Sequence, residues 1–112
     1  MQDTIDPEAC KNMTEVRAGV DAVDRALVAL LARRFGYMDA AARIKPERGH
    51  VRDEARKAEV IRNVRGHARV AGIPEMPVGE IWELLVEASI AYEFTAFDAA
   101  AGSRSTVATP TD

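Results

Sequence analysis

The chain has 112 residues, with 15 Lys and Arg, 18 Asp and Glu and a formal net charge of −3, which suits one modest domain with a small core. Because acids and bases are interleaved, no segment has the positive field that nucleic acid or an anionic membrane requires, and we expect neither partner. The acidic start resembles no targeting segment, and no apolar run approaches the ~20 residues of a membrane span.

The cysteine and histidine content argues against redox and metal chemistry. Cys10 is the only cysteine, so an internal disulfide is excluded and a reducing cytoplasm is the expected location. His50 and His67 are scattered and have no second thiol to complete a zinc site. We therefore expect no metal site, and we interpret these three residues as incidental.

The first helix is predicted to begin near Asn12 to Thr14, because Asn12 and Glu15 have capping-box spacing. Its apolar residues recur at steps of mostly three or four: Val16, Val20, Val23, Leu27, Leu30, Met38, Ala41 and Ile44. No proline occurs before Pro46, and Gly19 and Gly36 cost about 1 kcal/mol each, which a regular helix can absorb. The pattern predicts one helix of about thirty residues, ~45 Å long.

A second, shorter helix should follow a loop over residues 46–52, where Pro46 and Gly49 interrupt the pattern. Asp53 is a good N-cap for it and Gly72 a natural C-cap. The residues predicted to be buried on this helix are Ala55, Val60, Ile61, Val64, Ala68 and Val70.

A third helix is predicted from Val78 to about Ala99, after a turn enforced by Pro74 and Pro77. Apolar residues occupy more than one of its faces, which is typical of a helix buried most of the way round. Three aromatic residues at helical spacing are interpreted as core or dimer packing: Trp82, Phe94 and Phe97.

The predicted fold class is all-α, with a long, a short and a long helix. Residues 12–100 should form one helical domain, between a flexible segment at 1–11 and a disordered tail at 101–112. The second and third helices are both predicted to be shorter than the first and cannot cover its apolar stripe. An exposed patch of that length would be an association surface. An intertwined homodimer is the expected solution.

The candidate functional residues are cationic, because no metal cluster, phosphate-binding loop or nucleophile triad is visible. Arg34 and Lys45 are eleven residues apart, about 20° from one helix face and ~16 Å apart along the axis, so both could contact one anionic ligand. Arg17 lies ~25 Å from Arg34 along the axis and about 100° around it, so it could join only from a partner chain. The alternative is that all three line an ordinary solvated face.

These residues belong to a pattern that resembles the all-helical chorismate mutase class, which also includes the isochorismate-pyruvate lyases. The resemblance covers about residues 13–95 and is carried by residues 15–45, 51–61 and 81–93. It lies in ordered spacing: an early arginine, a second arginine seventeen residues later, a lysine eleven after that, an arginine in the first turn of helix two and a polar residue late in helix three. It implies a homodimer with two identical cofactor-free sites, each completed by an arginine of the other protomer.

The resemblance also implies roles for the matching cations. Arg17 matches the cross-subunit arginine, and Arg34 and Arg56 match arginines that bind substrate carboxylates. Lys45 matches the lysine that hydrogen-bonds the ether oxygen of chorismate. Preorganised Arg and Lys donors suit a dianion with a breaking C–O bond, because they fix its conformation and stabilise charge on the ether oxygen without a nucleophile.

Four further positions leave alternatives open. Asp53 and Ser89 match residues near the ring hydroxyl and a carboxylate, but they also suit an N-cap and helix packing. Glu93 stands where many members have Gln and some have Glu as partner of Lys45. It must be protonated to donate to the ether oxygen, or else serve as a charge-balancing group, so the rate should rise toward acidic pH. Lys57 stands where mutases often have a Glu, which leaves the substrate open.

The sequence therefore predicts a chorismate mutase that converts chorismate into prephenate, an interpretation that Asp53 and Arg56 favour. The first alternative is an isochorismate-pyruvate lyase, which forms salicylate and pyruvate and which the Pro-Glu-Ala-Cys opening at residues 7–10 favours. A mutase acting on 4-amino-4-deoxychorismate is a second. A non-catalytic helical dimer belongs to another class, and Glu93 and Lys57 keep that hypothesis open.

Overall fold

The computed structural model of the chain describes residues 4–108 and is almost entirely helical over that range. The three α-helices and the two short 3₁₀ turns are, in chain order, the turn Pro7–Ala9, α1 Met13–Ile44, the turn Arg48–His50, α2 Glu54–Ala71 and α3 Glu75–Ala108. No strand occurs among the described residues. The all-α class and the order of one long, one short and one long helix are confirmed.

The start of α1 is fixed by the capping pair that the sequence predicted. The Asn12 side-chain oxygen accepts from the Glu15 N–H at 2.9 Å, and Glu15 Oε1 accepts from the Lys11 N–H at 2.8 Å. The Asn12 side chain therefore satisfies a backbone donor of the first turn, and the Glu15 side chain satisfies the N–H of the residue before the cap.

Both predicted ends of α2 are also confirmed. Asp53 Oδ1 accepts from the Arg56 N–H at 3.0 Å, which makes Asp53 the N-cap. At the other end Gly72 adopts a left-handed conformation with φ 78°, and its N–H returns to carbonyls of the last turn. Glycine is favoured here because a side chain at positive φ would be strained.

The predicted limits of α3 were too narrow at both ends. The helix starts at Glu75 instead of Val78, because a proline in the first turn, here Pro77, gives up an N–H that has no helical partner there. It continues to Ala108, so the expected disordered tail at 101–112 is wrong for residues 101–108. Residues 109–112, like 1–3, lie outside the described residues, and the flexibility of the first segment stays a prediction.

The chain divides into two compact units, one ending at Gly36 and the other beginning at Tyr37. In the first unit, Ala22 is buried, but the predicted apolar stripe of α1 is open to solvent. Five stripe residues are 37% to 62% exposed: Val16, Val20, Val23, Leu27 and Leu30. Within this unit the stripe is uncovered, and its burial by a second copy stays a prediction.

The second unit contains the core. Its buried apolar residues are Ala42, Val51, Val86, Ile90 and Phe97, against which Trp82 and Phe94 pack from partly buried positions. The prediction that these aromatics pack in a core is thereby confirmed. On α2, Ala68 is buried and Val60, Ile61 and Val64 are half-buried.

Two residues of the predicted buried set of α2 face solvent instead. Ala55 is exposed, and Val70 is 90% exposed. Ala55 lies in the first turn of α2 and Val70 in the last, so helical spacing alone could not show where the contact with α3 begins and ends. Among the described residues, no helix combines the length and the apolarity needed to cross a membrane.

Candidate active site

The closest contact between predicted site residues joins Lys45 to Glu93. Lys45 directly follows α1, and its N–H still donates to the Ala41 carbonyl at 2.9 Å, so its backbone continues the helical direction. Its Nζ lies 2.7 Å from Glu93 Oε2 on α3. The Glu93 side chain is only 5% exposed and that of Lys45 is 29% exposed. The carboxylate end of the pair is therefore buried, and the lysine end remains accessible to solvent.

The Glu93 carboxylate has an ionic partner but an incomplete set of hydrogen bonds. Oε2 is buried and receives no well-directed hydrogen bond from the described residues, although Lys45 Nζ is within 2.7 Å. The short distance makes Lys45 the ionic partner of Glu93, and Oε2 can still accept a well-directed hydrogen bond. A buried charge in this state is costly unless further donors satisfy it, so the pair is a suitable place for a polar group of a ligand.

Ser89 lies one turn before Glu93 on α3 and is buried. Its hydroxyl donates to the Leu85 carbonyl at 2.7 Å. This bond within the helix agrees with the packing alternative for Ser89. Its position one turn from Glu93 agrees with the site alternative, and the site role stays a prediction.

The structure brings Asp53 and Arg56 together, but as parts of a helix cap. Besides the cap bond between them, Arg56 Nη1 pairs with Glu59 Oε1 at 2.8 Å on an exposed surface. Within the described part of the chain, neither forms a hydrogen bond or ion pair with Lys45 or Glu93. Their substrate-binding roles therefore rest on the sequence pattern and remain predictions.

The two remaining predicted arginines lie on α1 in the first unit. Arg17 is exposed, and Arg34 is half-buried and interacts with its surroundings. An exposed Arg17 is available to a second molecule, and this is the condition that a cross-subunit role requires. Neither role is tested by the geometry of this unit, so both remain predictions.

Lys57 takes part in a charge network that the sequence did not predict. Its Nζ lies 2.6 Å from Glu87 Oε2 and 3.1 Å from Glu83 Oε1, and Arg52 Nη2 lies 2.6 Å from Glu87 Oε1. Hydrogen bonds from Arg52 and then Lys57 lower the pKa of Glu87 to about 2. The hydrogen bond to Glu87 in turn raises the pKa of Lys57. Lys57 thus links α2 to α3 through two carboxylates.

Two further links to α3 were also missed by the sequence interpretation. Arg48 forms a two-point ion pair with Asp98, and the Tyr92 hydroxyl donates to Asp39 Oδ2 at 3.0 Å. That bond to the Asp39 carboxylate raises the pKa of Tyr92. The partners are about fifty residues apart in the chain, so no local spacing could have signalled these contacts.

Among the described residues, no group of three or more His, Cys, Asp or Glu side chains could hold a metal ion.

Comparison with known proteins identifies the family to which this chain belongs. A search of the curated proteins found no match. A family model described as chorismate mutase type II matches residues 16–94, which is well over half of the chain and includes Lys45 and Glu93. The chain therefore belongs to the chorismate mutase type II family.

Proposed function

We propose that this protein is a chorismate mutase that rearranges chorismate to prephenate. The observation that carries the proposal is the pairing of Lys45 with the buried Glu93 at 2.7 Å, inside the segment that matches the family. A cation that is held by a buried carboxylate at the edge of a core is a preorganised donor. The proposal includes a homodimer and a cytoplasmic location.

The proposed reaction is a Claisen-type rearrangement in which the ether C–O bond of chorismate breaks while a new C–C bond forms. No group is transferred to the protein, so no nucleophile is needed. Negative charge develops on the ether oxygen, and Lys45 Nζ donates a hydrogen bond to it. The two substrate carboxylates are held by Arg34, Arg56 and the partner's Arg17, which limits the substrate to a reactive conformation.

Glu93 sets the protonation requirement of the proposed site. As a carboxylate it balances the charge of Lys45 but repels an ether oxygen that becomes negative. As a carboxylic acid it can donate a second hydrogen bond to that oxygen. The buried Oε2, which lacks a directed hydrogen bond, supports a proton or a ligand donor at this position.

An isochorismate-pyruvate lyase is the second candidate. The observation in its favour is the opening Pro-Glu-Ala-Cys, which forms a 3₁₀ turn over Pro7–Ala9, with the Cys10 N–H bonded to the Pro7 carbonyl. The same turn borders a groove along the first unit's α1 residues Val16 and Val20. A related pericyclic elimination of pyruvate could use the same cationic donors.

Product identification tests these candidates. The purified protein is incubated separately with chorismate, isochorismate and 4-amino-4-deoxychorismate, between about pH 5 and about pH 8, a range that spans the acid side of carboxylate titration. Prephenate from chorismate, lost in Lys45→Ala, supports the proposal. Salicylate and pyruvate from isochorismate, without prephenate, would replace it with the lyase.

A matched control variant distinguishes a specific loss of activity from a loss of the fold. Arg69 forms a two-point ion pair with Glu75, at 2.8 Å and 3.0 Å, at the corner between α2 and α3. Arg69→Gln removes a cation from the same chain without touching Lys45 or Glu93, and it should retain activity. Absence of product from all three substrates in folded wild-type protein would favour a non-catalytic helical dimer.

A further inference from the structure

The segment that follows Lys45 is held against α3 by one arginine. Arg48 Nε donates to Asp98 Oδ1 at 2.8 Å, and its Nη2 donates to Asp98 Oδ2 at 3.2 Å. The same guanidinium stacks on the Phe94 ring, with Cζ 4.4 Å from the ring centroid. Arg48 is three residues after Lys45, and Phe94 directly follows Glu93. The two partners of Arg48 therefore lie on α3 one and five residues after Glu93, the partner of Lys45.

This arrangement gives the guanidinium two different constraints. A two-point ion pair fixes the plane of the guanidinium as well as its position, because both of its bonds must be aligned at once. The contact of Cζ with the face of the Phe94 ring constrains the position of the guanidinium from a second side. Lysine could keep the charge and a contact with the Phe94 ring, but it could not form the planar two-point pair with Asp98.

Few backbone bonds hold the segment between α1 and α2. They include those of the His50 N–H to the Glu47 carbonyl at 3.0 Å and of the Val51 N–H to the Arg48 carbonyl at 3.1 Å. Val51 packs in the core and is 3% exposed. Between Lys45 and Val51, Arg48 is therefore the side chain that joins the segment to α3 by hydrogen bonds.

We propose that Arg48 is a positioning residue that holds Lys45 in register with Glu93. This inference rests on the proposed function, since Lys45 is the expected donor to the ether oxygen. Arg48 and Asp98 are both more than half exposed, and exposed ion pairs contribute little to the free energy of unfolding. Losing the pair should therefore disturb the geometry at Lys45 more than it disturbs the fold.

The test measures prephenate formation in Arg48→Gln, Asp98→Asn and the double variant, with Arg69→Gln as the control that loses a similar two-point pair elsewhere. Both single changes should lower kcat about tenfold, since a displacement of about 1 Å can cost more than that. KM should change less than kcat. The double variant should be no slower than either single variant, because both remove one interaction. Arg48→Lys should recover only part of the loss.

Amide hydrogen exchange over residues 45–53 gives a second measurement that needs no substrate. Exchange should be faster in Arg48→Gln than in Arg69→Gln, while the thermal midpoints of the two variants stay similar. Unchanged exchange would overturn the inference whatever the activity, as would unchanged kcat in an active enzyme or losses that multiply in the double variant. If wild-type protein forms no product, the proposed function fails, and exchange alone decides whether Arg48 positions the segment.

Discussion

Lys45 Nζ lies 2.7 Å from Glu93 Oε2, so the end of α1 and the middle of α3 meet in an ion pair whose carboxylate side is buried. The lysine side remains partly open to solvent. This asymmetry matters for function because the buried Glu93 fixes the position of the Lys45 cation, while the exposed side of Lys45 can still bind an anion. By the resemblance in sequence, Glu93 stands where many members of the family have glutamine.

The first prediction concerns the pH dependence of the reaction. Wild-type kcat/KM should rise as the pH falls from about 8 toward about 5, because only the protonated acid can donate to the ether oxygen. Glu93→Gln has a permanent amide donor, so its profile should be flatter. The measurement is initial rates across that range. A wild-type profile already flat over the same range would remove this role from Glu93.

The second prediction concerns the stability of the same pair. Lys45→Met should lower the free energy of unfolding by about 1–3 kcal/mol, because it leaves a buried carboxylate without its cation. Adding Glu93→Leu should restore most of the loss, since no buried charge then remains. Denaturant unfolding measures both variants at one protein concentration, because any self-association adds to apparent stability. A double variant no more stable than Lys45→Met would contradict this account of the pair.

The third prediction concerns acid unfolding. The pKa of Glu87 is lowered to about 2 by Arg52 and then Lys57. Its carboxylate therefore stabilises the fold above the ordinary glutamate pKa of about 4.3, and this contribution is lost as the pH falls from there toward about 2. The thermal midpoint should fall less over this window in Glu87→Gln than in wild type. Glu80→Gln is the control, because Glu80 forms no ion pair in the described part of the chain; equal slopes for all three would contradict the network.

The fourth prediction separates the two roles of Asp53. Asp53→Ala should cost about 1 kcal/mol of stability because it removes the N-cap of α2, whereas Asp53→Ser keeps a capping oxygen. If Asp53 also contacts the substrate ring hydroxyl, Asp53→Ser should be stable but less active. Asn12→Ser at the other cap serves as the control and should retain both properties. Full activity in Asp53→Ser would leave Asp53 as a cap alone.

Local signals in the sequence predicted the helix ends better than the contacts between helices. Asn12, Asp53 and Gly72 were identified correctly, because a cap is set by residues within one turn of each other. The start of α3 was missed because Pro77 can either end a turn or occupy the first turn of a helix. Its continuation to Ala108 was missed because the small and polar residues after Ala101 gave no apolar period.

The candidate site was predictable only where a family pattern was available. Spacing alone placed Lys45 near a helix end and did not reveal its contact with Glu93, which is far away in the chain; the resemblance supplied that pairing. The link between Arg48 and Asp98 had no such pattern and was missed. The predicted burial of Val70 failed for a related reason, because helical period shows which residues share a face but not how far a neighbouring helix extends.

We expect a cationic site built around Lys45 to be completed by Arg17 of a second copy, and mixed dimers test this expectation. Arg17→Ala and Lys45→Ala are prepared as separate inactive proteins, dissociated together in equal amounts and allowed to reassociate. Half of the dimers should then be mixed, and each should contain one intact site, which restores about a quarter of wild-type prephenate formation. A mixture that contains mixed dimers but remains as inactive as its two parents would contradict the shared site.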